Sequence, residues 1–169
     1  MDFYLIRYIN NKVEKLCIWY SNDKDGLCVD EDKKIISFPD IDAAILYVSK
    51  KDLSLSNEDD IYTYDFDNLR QWINGNDSTV DCNEILNFWN IFTDVAYSIG
   101  ITFKGDTKNK AIRTIYDKLF YGCNLPAFKP DGEEDFIPIW NEKQINILKS
   151  VLENGLNMFV ENIAHFPVI

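Results

Sequence analysis

Two runs rich in β-branched and aromatic residues, Asp2 to Ile9 and Val13 to Tyr20, stand with only Asn10-Asn11-Lys12 between them. A polar link that short leaves the two runs little choice but to pair as an antiparallel β-hairpin. Beyond the loop 21–26, Leu27 to Val29 and Lys34 to Phe38 read as short strands that extend the pair into a meander. Pro39-Asp40 then opens a helix with Ile41, Ala44, Ile45 and Val48 at helical spacing. Ile61 to Phe66 reads as a further strand, and Asp67 to Ile73 as a short helix closed by Asn74-Gly75.

From there the pattern is helical. Asp81 and Glu84 stand at capping-box spacing, and Ile85, Phe88, Trp89, Phe92, Val95, Ala96 and Ile99 form a wide apolar stripe that ends at Gly100. This helix is expected to be the most buried. A second helix is predicted over Asp106 to Tyr121, with Gly122 as its stop. A third opens at Asn141, with Gln144 completing a capping box and Trp140 placed as a hydrophobic staple. Gly155 interrupts its buried stripe of Ile145, Leu148, Leu152, Leu156, Phe159 and Ile163, at a cost of about 1 kcal/mol against Ala, and a close helix contact or a bend is expected there. Strands first and helices after predict an α+β fold: an N-terminal antiparallel sheet with a short helix, then a bundle of about three helices packed on it. The 169 residues suit a single domain, mainly β over 1–75 and mainly α over 76–169.

Charge narrows the function. The chain carries 28 Asp plus Glu against 17 Lys plus Arg, a net charge of −11, in a sequence that is 46% hydrophobic and 14% aromatic. The excess is clustered in three predicted loops: Asp23, Asp25, Asp30, Glu31 and Asp32; Glu58, Asp59 and Asp60; and Asp131, Glu133, Glu134 and Asp135. Such a field steers cationic partners and repels nucleic acid and anionic membrane. Lys and Arg are not concentrated anywhere, which argues against direct binding of DNA or RNA.

Catalytic and metal motifs are thin. Cys17, Cys28, Cys82 and Cys123 are scattered, without CxxC spacing, and read as core thiols of a reduced cytoplasmic protein. The start lacks a secretion-signal pattern, and no apolar run reaches membrane-spanning length. His165, the one histidine, has no cysteine or serine motif placed to use it. Residues 21–32 partly match a calcium loop, but Ser21 stands first and Asp32 last, where Asp and Glu are the better ligands. A turn between strands is the expected use. No nucleotide-binding or hydrolase-elbow string occurs, and no cofactor or metal site is predicted. Most of the 9 Tyr, 11 Phe and 4 Trp are expected in the core. Tyr62, Tyr64 and Trp72 lie beside acidic loops as candidate interface anchors.

In the helical half of the chain, the stretches Cys82-Asn83-Glu84-Ile85-Leu86-Asn87-Phe88-Trp89-Asn90, Tyr116-Asp117-Lys118-Leu119-Phe120-Tyr121-Gly122-Cys123-Asn124-Leu125-Pro126 and Ile139-Trp140 carry a resemblance, by size, acidity and general pattern, to bacterial immunity proteins of contact-dependent growth inhibition and related polymorphic toxin systems. The resemblance implies a small cytosolic, non-catalytic protein that binds one cognate toxin domain, often a nuclease, and blocks its active site or substrate path. It carries no individual binding residue across. The residues themselves point to the acidic clusters, with Tyr62 beside the second, as the toxin-binding elements: carboxylates there take the place of the phosphates that a ribonuclease grips. Two other classes fit the composition, a metal- or carboxylate-dependent enzyme and an acidic mimic of DNA.

Overall fold

The computed structural model describes residues 1–57 and 60–164, so Glu58, Asp59 and His165 lie outside the described residues. The hairpin forms as the spacing demands. Strand β1 (Asp2–Asn10) pairs antiparallel with β2 (Val13–Ser21), in register from Asp2 opposite Ser21 to Asn10 opposite Val13. Asn11 and Lys12 make the turn with φ of 53° and 62°, the positive values that a two-residue hairpin turn needs. Both of their N–H groups donate to the Asp67 carboxylate, at 2.8 and 2.7 Å, which anchors the turn to the helix that carries Asp67.

The expected meander shortens. Strand β3 is only Gly26–Leu27, antiparallel to β2, and residues 34–38 form isolated bridges rather than a strand. The Asp30 side chain accepts the N–H groups of Asp32 and Lys34, and Lys33 takes a φ of 59°, so the chain turns tightly there. Ile35 then bonds the C-terminal segment instead: its N–H donates to the Asn162 carbonyl at 2.7 Å and its carbonyl accepts from Ala164. Strand β4 (Tyr62–Asp65) joins the other side of β1 in parallel, so the sheet is mixed, in the order β3-β2-β1-β4.

Helix α1 (Ile41–Lys50) is capped by Asp40, whose side chain accepts from the Ala43 N–H. It buries Ala44 and Val48, while Ile45 faces out. Helix α2 (Phe66–Asn74) follows β4 directly, with Asp65 as its cap. Helix α3 (Cys82–Ile99) starts at the Asp81 cap and stops at Gly100, which is left-handed with a φ of 72°. Helix α4 (Lys110–Gly122) begins later than predicted, because residues 104–106 form a 3₁₀ turn and Asn109 supplies the cap. Helix α5 (Glu142–Glu161) opens on a complete capping box between Asn141 and Gln144.

Period-2 alternation divides the sheet between two cores. Leu5, Leu16 and Ile18 face α1 with Ile36 and Phe38, whereas Ile6, Tyr8 and Cys17 face α2, α3, α4 and α5. The larger core centres on α3, whose whole predicted stripe is buried. Phe66 and Phe92 at its heart have no exposed surface, and Phe66 packs against Phe88, Phe92 and Phe159. Gly155 packs directly against α3: a Cβ there would stand 2.2 Å from Phe92 Cδ2. The close contact expected at that glycine is therefore present. All four cysteines are free. Burial pushes the Cys17 thiol far up and that of Cys28 to about 11.

Candidate functional site

Two regions gather predicted site residues, while Asp23, Asp30, Glu31 and Asp32 lie in neither. The first is a groove of about 460 Å³ between α3 and the sheet end formed by β1, β2 and β4, lined among others by Tyr4, Trp19, Asp25, Asp60, Tyr62, Tyr64, Asn87, Asn90 and Asp94. Asn57 shapes its rim. Its side chain accepts the Leu5 N–H at 2.7 Å and donates to the Leu5 carbonyl at 2.8 Å, imitating a neighbouring strand, and it also donates to the Asp60 carbonyl. Those bonds hold Asp60 beside β1. Tyr62, 47% exposed, meets Tyr64 edge-on at 4.8 Å and accepts a hydrogen bond from Asn87 on α3.

Asp94 lies in the groove and belongs to none of the predicted clusters. Its carboxylate accepts from Trp19 Nε1 at 2.8 Å. Burial pushes its pKa up to about 6; the Trp19 bond opposes the rise, and the Asp25 and Asp106 carboxylates add to it. A signal was present in the sequence. Asn87, Asn90, Asp94 and Ser98 recur at intervals of three and four along the helix, which draws a polar stripe beside the buried one. Ser98 uses its hydroxyl to accept the Leu27 N–H, tying β3 to the end of α3.

The first cluster divides by role. Asp25 accepts from the Ser21 hydroxyl and the Asn22 N–H, and Asp30 from its own turn, so both shape backbone. Asp23, Glu31 and Asp32 are exposed. Among the described residues, no group of three His, Cys, Asp or Glu is placed to hold a metal ion, and the calcium-like loop spends two of its carboxylates on its own turns. Of the second cluster, only Asp60 is described, and it is exposed.

The third cluster forms the second region. Asp131, Glu133, Glu134 and Asp135 are exposed on the connection between α4 and α5, and Lys129 pairs with Asp135. This connection lies beside the start of α3: a Cβ on Gly122 would stand 2.5 Å from Cys82 Sγ. Helix α4 ends at Gly122, the predicted stop, which also permits this close approach, and the chain leaves through Cys123 and a left-handed Asn124 with φ 50°. Asp94 lies twelve residues further along α3, roughly 18 Å from Cys82 at helical rise.

Trp72 is not a free anchor. It is half-buried, donates to the Thr79 carbonyl and lies under Lys149 Nζ. Tyr64 is likewise packed, against Phe88. Among the described residues, three ion pairs form, Arg7–Glu14, Arg70–Asp67 and Lys129–Asp135. Asp135 is the single predicted cluster residue among them, so the remaining described carboxylates of the clusters stand outside these ion pairs. No helix among the described residues is long and apolar enough to cross a membrane.

No family model and no curated protein sequence matches the chain. In structure it is similar to the C-terminal domain of SatS, crystallised in complex with bromine, with a TM-score of 0.51 over 96% of this chain and 92% of that one. Sequence identity is 12%, so the likeness is one of fold alone.

Proposed function

We propose that the chain is a non-catalytic inhibitor that binds a basic protein, in the manner of an immunity protein of contact-dependent growth inhibition or a related polymorphic toxin system. The partner that fits this reading is a nuclease toxin domain, and within that class a ribonuclease, neutralised in the cytoplasm. One observation carries it: among the described residues every cluster carboxylate but Asp135 stands outside the ion pairs, and Asp25, Asp60 and Asp94 surround a groove walled by Tyr4, Trp19, Tyr62 and Tyr64. Aromatic faces and carboxylates together suit a lysine or arginine side chain, the groups with which a ribonuclease holds phosphate.

Co-expression tests this reading. The chain is expected to rescue growth of cells producing the toxin domain encoded immediately upstream of it, and the double reversal Asp25→Lys, Asp60→Lys is expected to weaken rescue. Rescue untouched by that reversal and by reversal of Asp131, Glu133, Glu134 and Asp135 removes the electrostatic mechanism. A carboxylate held near pH 6 in a concave site is also what general acid–base chemistry uses, which favours a carboxylate-dependent enzyme as the second reading. Heat of magnesium or calcium binding in calorimetry, lost in Asp94→Asn, supports that alternative; its absence counts against the metal-dependent form.

A further inference from the structure

We infer that the connection from Leu125 to Ile139 is a docking arm that enters an apolar cleft of the basic partner while its carboxylates meet lysines and arginines on the rim of that cleft. The inference rests on the reading of the chain as an inhibitor of a basic protein, and deepens it by assigning a contact. Phe128 is 65% exposed, Ile137 82% and Ile139 87%. Large apolar side chains shown to solvent in one short segment mark an interaction surface rather than a scattered remainder.

The arm is presented firmly. Asn124 clamps Phe136 from both sides, accepting its N–H at 2.7 Å and donating to its carbonyl at 3.0 Å. The Phe128 ring meets Phe120 edge-on at 5.1 Å, and Lys118 donates to the Ile139 carbonyl. A segment held in one shape before binding loses less conformational freedom on docking, which favours affinity.

Charge identifies the occupant. Asp131, Glu133 and Glu134 are exposed and outside the three ion pairs of the described residues. Two copies meeting through this arm would set like charges against each other, and an anionic membrane would be repelled. A basic protein satisfies both halves, because apolar anchors ringed by polar contacts are the usual anatomy of a protein interface.

The experiment uses the full chain and the toxin domain encoded immediately upstream. Ile137→Ser with Ile139→Ser changes side chains that already face solvent, and an unchanged thermal melt confirms folding. The expected result is an affinity at least about 30-fold weaker, the loss typical of an interface anchor, at both about 50 mM and about 500 mM salt. Hydrogen exchange over 125–139 in the wild-type complex is expected to slow. If Asp25→Asn with Asp60→Asn weakens binding while the arm variant and arm exchange stay unchanged, the arm is overturned and the inhibitor reading stands. If the wild-type chain does not bind the domain at either salt, both fall. A wild-type dimer in sedimentation that Ile137→Ser dissolves overturns the arm in favour of a second copy.

Discussion

At the scale of the residue, Asp94 is the group whose surroundings say most. A carboxyl whose folded pKa is raised from 3.8 to about 6 holds its proton more tightly when folded, so between those values folding takes up protons and stability falls as pH rises. Its contribution is most favourable on the acid side of that window and is lost through about pH 6. Asp94→Asn keeps an acceptor for Trp19 Nε1 but carries no charge. Solvent on the open side of the groove screens the penalty, so the gain at pH 7 is expected to be on the order of 1 kcal/mol. That corresponds to a melting temperature higher by about 2–4 °C, with the gain vanishing in melts near pH 4. An unchanged melting temperature at pH 7 would show that Asp94 ionises there freely. A lysine or arginine entering the groove favours the charged carboxylate. Binding to a basic partner of the proposed kind is then expected to tighten from about pH 5 to about pH 7 and to release a proton, both readable by calorimetry in two buffers.

At the scale of the element, α3 and α5 show how a helix that looks imperfect can be right for its place. Gly155→Ala raises helix propensity, yet its Cβ would meet Phe92, which is fully buried and ringed by other aromatics. Overpacking of that kind costs about 1–3 kcal/mol against a propensity gain of about 1, so a lower urea midpoint is expected. Adding Phe92→Leu should recover part of the loss, and a double-mutant cycle that shows no coupling would sink the close-contact account. The start of α5 makes a second case. Asn141→Ala removes the acceptor for the Gln144 N–H and opens the capping box, with an expected loss of about 1 kcal/mol in chemical denaturation.

At the scale of the molecule, one sheet serves two cores, and its end forms a groove against the central helix. The net charge of −11 acts as a field over the whole surface, so association with a basic domain is expected to slow by about tenfold or more between low and high salt, while dissociation changes little. Stopped-flow mixing at several ionic strengths measures this. A rate that ignores salt would show that the carboxylates do not steer the encounter.

Signals confined to a few residues were legible without a structure. The hairpin, the Asp81 and Asn141 caps, the Gly100 stop and the apolar stripes of α3 and, up to Phe159, of α5 each depend on neighbours within a turn or a short link, and they stand where the pattern put them. Ile163, predicted to extend the α5 stripe, lies beyond the helix end and bridges Ile35 instead. Residues 34–38 and the orientation of β4 depended on distant partners: Ile35 is claimed by Asn162, far along the chain, and β4 pairs with β1 after a long crossover. The same reason hid the site. Carboxylates could be counted in the sequence, but whether each was spent on a turn, as Asp30 is, gathered into a groove, as Asp25, Asp60 and Asp94 are, or left on an open arm was decided by long-range packing, because burial and proximity are properties of the assembled core.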